Sequence, residues 1–275
     1  MGKCKYCGQK TGFLSSKHKD CESKYKFGKV EIIRLIQNAI VETNDFQKLT
    51  IDIDKIALDS YIKNDEFNTL YTSGFDNAVE KFLEDGILSV DEEEKVGDFR
   101  EQLNLTQDTL DMNGSLQKVV KASVLRDLTE GNIPEPKINI QGHIPFNFQK
   151  TEKLIWIFQD VEFYEQRTRT QYQGGYSGVG IRVAKGVYYR TGSFKGNPVK
   201  IDEMKYIDTG IFGLTNKHVY FASSNKNFRV QLEKIITMDP YQDGIGLQKD
   251  GATAKPQIFK NIDGWFTYNA ISNLT

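Results

Sequence analysis

Apolar positions along this chain change their spacing once, near residue 150. From 30 to about 130 they recur as helices require. Ile32, Ile33, Ile36, Ala39 and Ile40 fall at i, i+1, i+4, i+7 and i+8, which winds onto one stripe at 3.6 residues per turn. Similar stripes run through 53–62, 75–83, 96–103 and 116–128, punctuated by Gly86, Gly97, Gly114 and Gly131. A stretch with Asn132-Ile133-Pro134-Glu135-Pro136 and Gln141-Gly142-His143-Ile144-Pro145 follows. It holds three of the six prolines and reads as a linker over 132–150. Beyond Lys153 the runs shorten and become β-rich: 154–158, 161–164, 181–189, 211–214, 218–221, 228–230, 235–238, 245–247 and 257–259. Asn, Gly and Asp turns separate them. A final amphipathic helix starts at an Asp263 cap and is expected to place Trp265, Tyr268, Ile271 and Leu274 on one face.

Composition adds little until it is divided. The 275 residues are 39% hydrophobic and 27% charged, as ordinary globular proteins are. No apolar run approaches the roughly 20 residues of a membrane span. The opening Met1-Gly2-Lys3-Cys4-Lys5 has no apolar core of a secretory signal, and Tyr6 stands where myristoylation expects Ser or Thr. A cytoplasmic chain with reduced thiols is the expectation. The formal net charge of −1 conceals three blocks: +6 over 1–29, −12 over 30–133 and +5 over 134–275. Pattern and charge together predict a multidomain α+β protein. Its parts are a small lysine-rich N-terminal module (1–29), an all-helical domain (30–131), the linker, and a β domain (151–275).

All three cysteines of the chain lie in Cys4-x2-Cys7-x10-His18-x2-Cys21. Thiolate and imidazole are the ligands zinc prefers, and a two-residue gap lets both members of a pair reach one ion. Four protein ligands leave no open position for water, so one structural zinc is expected. The segment Cys4-Lys-Tyr-Cys7-Gly8-Gln-Lys10-Thr-Gly12-Phe13 resembles the short zinc ribbons at the front of many bacterial proteins. That resemblance implies that Gly8 turns the chain under the metal and that the second ligand pair opens a helix, for which Ser15 or Ser16 is a candidate cap.

Two further stretches resemble known families. Phe82-Leu-Glu-Asp85-Gly86-Ile-Leu88-Ser89-Val-Asp91-Glu92-Glu93-Glu94, with Leu103-Asn-Leu105-Thr106, is similar to the acidic corner of TerB-like helical domains. Physically, Ser89 and Glu92 form a capping box, and first-turn carboxylates suit the helix dipole. The ligand series of a calcium loop is absent there. Gly210-Ile-Phe-Gly-Leu214-Thr215-Asn216-Lys217-His218-Val-Tyr220-Phe221, then Phe228-Arg-Val230-x-Leu232-x-Lys234-Ile235-Ile236 and Asp243-Gly244-Ile245, resembles the bacterial PH-like or GRAM-like superfamily. This implies a bent seven-stranded antiparallel sheet closed at one end by a C-terminal helix. It also implies a binding scaffold whose ligands vary.

Catalytic constellations are scarce. Outside the cysteine motif the histidines are His143, in the linker, and His218, expected half-buried in a strand. No nucleophile elbow, zincin, P-loop or Rossmann pattern appears, so an enzyme is not expected. The glycine-rich 173–180 lies between β runs and lacks the following helix that a phosphate cradle needs. The binding candidate is the basic hairpin around it. Arg167 and Arg169 leave one strand, and Arg182, Lys185 and Arg190 lie on the next, interleaved with tyrosines. Such a face suits a protein partner, an anionic lipid or a phosphorylated ligand. It equally describes a solvated edge protected by charge. Two functional classes follow. One is a non-catalytic interaction or sensor protein resembling bacterial or phage stress-response and defence accessories. The other is a nucleic-acid or membrane-surface binder using the lysine-rich zinc module and the hairpin, against which the acidic middle would repel phosphate.

Overall fold

The computed structural model describes residues 2–12, 15–84, 86–135, 144–172, 180–184, 187–190 and 198–275, and from 169 to 201 it describes backbone alone. The chain divides into two compact units, one through Arg126 and one from Asp127.

In the first unit, helix α1 (Lys19–Asn38) buries Cys21, Gly28, Ile32 and Ile36 and runs through positions 29 and 30 without a break. It widens into one π-helical turn at Ala39–Thr43, which ends where Asn44 takes a left-handed φ of 52°. Helix α2 (Phe46–Asp59) is capped by Asp45, whose carboxylate accepts from the Lys48 N–H. Helices α3 (Phe67–Phe82), α4 (Val90–Gln102), α5 (Gln107–Leu110) and α6 (Ser115–Thr129) follow. The five apolar stripes lie on α1, α2, α3, α4 and α6. The capping box opens α4: Ser89 N–H donates to Glu92 Oε2 at 2.8 Å, and Glu92 N–H to Ser89 Oγ at 3.3 Å. Phe46, Phe75 and Phe99 meet at the centre, with Phe75 and Phe99 stacked at 6.1 Å, around fully buried Ile32, Ile36 and Ile40.

The second unit is built on long strands β1 (Leu154–Tyr172) and β4 (Pro198–Thr215), with a hairpin of β2 (Gly180–Ala184) and β3 (Val187–Arg190) between them in sequence. The strands β5 (His218–Ser223), β6 (Asn227–Gln231), β7 (Ile235–Tyr241), β8 (Gly244–Lys249) and β9 (Gln257–Lys260) complete a seven-stranded antiparallel sheet of order β6-β5-β4-β1-β9-β8-β7. The sheet curls around fully buried Phe163, Phe212, Phe221 and Phe259, and helix α7 (Gly264–Ser272) follows. The multidomain α+β class, and the bent sheet followed by a final helix, are as the sequence predicts.

Three local expectations change. The 154–158 and 161–164 runs are one strand, because a bulge between Phe158 and Val161, with Asp160 at φ 54°, absorbs the polar interruption. The 181–189 run is two strands, β2 and β3, paired antiparallel. On α7 Ile271 is buried as expected, but the other buried positions are Gly264, Phe266, Thr267 and Ala270, and Trp265 is 58% exposed. The Asp263 cap is as expected, accepting from Phe266 N–H at 3.0 Å.

β9 pairs with β1 only from Glu162 to Glu165, while β4 accompanies β1 as far as Tyr172↔Pro198. Past Glu165 the two strands therefore continue as a two-stranded arm. At the other end, residues from the segment read as linker pack on the outer face of the sheet. Phe146 and Phe148 stand 5.1 and 5.5 Å from the Tyr220 ring. Phe146 covers Gly213 so closely that a Cβ there would lie 2.5 Å from its ring.

Candidate metal centre

Residues 2–12 form a tight hook. Lys3 bridges to Lys10, Cys4 N–H donates to Gln9 O at 2.8 Å, and Gly8 N–H donates to Cys4 O at 2.9 Å. Closing that turn requires a left-handed residue, and Gly8 supplies it at φ 72°. The chain then brings His18 to the cap position of α1 and Cys21 into its first turn. His18, not Ser15 or Ser16, occupies the cap, and it makes no capping bond with its side chain. Ser15 Oγ instead donates to Lys17 O at 2.6 Å.

The ligand atoms of Cys4, Cys7, His18 and Cys21 all lie within 4.8 Å of one another. His18 Nδ1 is 3.5 Å from Cys7 Sγ and 3.7 Å from Cys21 Sγ. Zinc–sulfur and zinc–nitrogen bonds of about 2.3 and 2.0–2.1 Å at a tetrahedral angle require an S···N edge of roughly 3.6 Å. The four groups are thus close enough, and correctly spaced, for one metal ion. His18 Nε2 lies 3.0 Å from Lys10 O, a bond that puts the proton on Nε2 and leaves Nδ1 to a metal. Burial pushes the Cys4 thiol up, but the N–H groups of Cys7, His18 and Tyr6 outweigh it and bring the pKa down to about 6. Burial pushes Cys21 up, helped by Cys7. The Cys7 sulfur and then the Lys10 carbonyl raise His18.

The hook is anchored by aromatics. Tyr6 lies 4.9 Å from Tyr25 on α1 and 6.5 Å from Tyr61 beyond α2. The Tyr25 hydroxyl bonds the Glu66 carboxylate, which Lys29 reaches at 2.7 Å.

Of the basic-hairpin residues, Arg167 is exposed on the arm and pairs with Glu165 at 2.9 Å. Arg169 stands opposite Ile201, Arg182 opposite Tyr188 and Arg190 opposite Gly180, but the side chains of these three lie outside the described residues. Lys185, His143 and the glycine-rich 173–179 lie wholly outside them.

His218 is fully buried, at 3% exposure, where the sequence suggested half-burial. Its partner is Glu152, which sequence reasoning missed. The Glu152 carboxylate has no exposed surface. It accepts from His218 Nδ1 (2.9 Å), the Tyr220 hydroxyl (2.8 Å), Gln149 N–H (2.9 Å) and the Thr215 hydroxyl. Burial would raise its pKa, yet these donors hold it down to about 2. The available signal was His218 itself, since a polar ring inside a strand run needs a buried partner. Nothing around Thr151-Glu152-Lys153 names that partner.

Compared with known proteins, the chain matches no family model and no curated protein.

Proposed function

We propose that this is a non-catalytic interaction or sensor protein of the bacterial or phage stress-response and defence-accessory kind. One structural zinc, bound by Cys4, Cys7, His18 and Cys21, fixes the N-terminal hook, and the C-terminal unit recognises a partner. The observation that carries the reading is the strand order β6-β5-β4-β1-β9-β8-β7 with α7 after it, which agrees with the PH-like scaffold that the sequence resembles. Scaffolds of that kind present ligand-reading surfaces on a rigid curled sheet. The zinc assignment is supported by the tetrahedral spacing and by the Lys10 carbonyl on His18. The TerB-like reading of the helices is supported by the Ser89–Glu92 corner.

The test is affinity capture from the native host with the full chain, beside Arg167→Ala/Arg169→Ala and Arg182→Ala/Arg190→Ala. A partner that is specific, saturable and weakened more than tenfold in either arm variant supports recognition through the C-terminal unit. Turnover of a nucleotide or ester that disappears with His218→Ala would overturn the non-catalytic reading.

A further inference from the structure

Helix α2 ends on a residue type that its backbone disfavours. Ser60 N–H bonds Ile56 O, and Ile62 N–H reaches back to Ala57 O, both at 2.9 Å. Such a closure leaves the position between them left-handed, a place that glycine ordinarily fills. Here the position holds Tyr61, at φ 61°. A large side chain in that region is strained, because its Cβ crowds the following carbonyl. What offsets the strain must be sought in the contacts of the side chain.

Those contacts run to the metal centre. The Tyr61 ring lies 6.5 Å from Tyr6, which stands between Cys4 and Cys7 in the hook. Its hydroxyl is within hydrogen-bonding reach of the Cys21 sulfur, and as a donor it favours the thiolate. The turn that aims it is held from α1, where Gly28 fits so closely against Ser60 that a Cβ would overlap it. Ile62, the next residue, is buried. The aim is therefore set by α1 and α2 and not by the hook.

A thiolate shut away from water needs donors. Buried Cys4 receives the N–H groups of Cys7, His18 and Tyr6, all from the hook and the start of α1. Buried Cys21 draws on a side chain past the end of α2. Groups behind the ligands orient them and hold their charge, and losing one ordinarily weakens metal binding about 10–100-fold. We propose that Tyr61 is a positioning residue of the metal centre, its hydroxyl donating to the Cys21 thiolate, so that metal affinity depends on the end of α2 as well as on the four ligands. The proposal rests on the zinc reading of Cys4, Cys7, His18 and Cys21.

The experiment measures zinc affinity of the full chain by competition with a chromophoric chelator. It also records the thiolate-to-metal charge-transfer band of the cobalt(II)-loaded chain. Wild type is compared with Tyr61→Phe, which keeps the ring and removes the hydroxyl, and with Tyr61→Gly. Tyr71→Phe removes a hydroxyl elsewhere in the same unit and serves as the control. Support is zinc affinity at least tenfold lower in both Tyr61 variants, with Tyr71→Phe unchanged, and a cobalt band at longer wavelength in Tyr61→Phe. The band moves that way because a thiolate without its donor gives up charge more readily. Tyr61→Gly should leave the 222 nm transition of the metal-free chain no lower than wild type, since glycine relieves the left-handed position. Unchanged affinity or an unmoved band in Tyr61→Phe, with metal still bound one to one, overturns the proposal and leaves the zinc reading standing. A metal-free stability that falls in Tyr61→Gly as much as its zinc affinity does would make Tyr61 a packing residue and overturn it too. A wild-type chain that takes up neither zinc nor cobalt would remove the zinc reading and the proposal with it.

Discussion

Glu152 keeps its charge where no water reaches it, because four donors replace the water. Its folded pKa of about 2 lies below the ordinary 4.5, so the carboxylate stabilises the fold above pH 4.5. That contribution is lost as pH falls from about 4.5 to about 2. A shift of this size corresponds to about 3 kcal/mol. Glu152→Gln should lower the stability of the C-terminal unit at pH 7 and flatten its acid limb between pH 4.5 and 2. Both tryptophans, Trp156 and Trp265, lie in that unit, so indole fluorescence during denaturant unfolding reads it without interference from the N-terminal hook. An unchanged acid limb in the variant would remove Glu152 from the account.

At the scale of elements, two helix glycines should respond oppositely to alanine. A Cβ on Gly74 would lie 2.5 Å from Ile36 Cβ, where α3 crosses α1, whereas one on Gly97 in α4 meets nothing within 4 Å. Alanine gains up to about 1 kcal/mol in a helix interior. Gly97→Ala should therefore stabilise the helical unit by several tenths of a kcal/mol or more. Gly74→Ala should destabilise it by about 1–3 kcal/mol through overpacking. Circular dichroism at 222 nm against denaturant measures both. Gly213→Ala should cost a similar amount in the fluorescence transition, since its Cβ would strike Phe146.

The helices were legible because their stripes face one core, and periodicity reports that directly. The far half of β1 was not, since Gln166–Tyr172 belongs to an arm with no third strand beside β1 among the described residues, and alternation needs a buried face to mark it. On α7 the large aromatics Trp265 and Tyr268 misled. Helical spacing marked them as core together with Ile271; Ile271 is buried, but Phe266 and Ala270 hold the other places. The clustering of Cys4, Cys7, His18 and Cys21 was legible, because their spacing is local in sequence. The Glu152–His218 pair joins positions 66 apart and leaves no such trace.

For the whole molecule, the division into two units predicts two separable transitions. Metal removal with a strong chelator should lower the 222 nm transition of the first unit and leave the indole-reported transition of the second unchanged. Elemental analysis of the purified chain should give close to one zinc, and Cys4→Ser should reproduce the chelator's effect. A shift of both transitions together would mean that the units share their stability.

Helix α1 carries His18 and Cys21 at one end and Ile32 and Ile36 at the other, with Gly28 fitted against Ser60 between them. Anyone cutting the gene at a module border would thus saw through a single rod. A chimera that grafts the first 29 residues onto a foreign protein would carry half a helix and a Tyr6 parted from Tyr61. The remainder of this chain, stripped of those residues, would lose the start of α1. The transplantable piece is residues 1–126, hook and helices together.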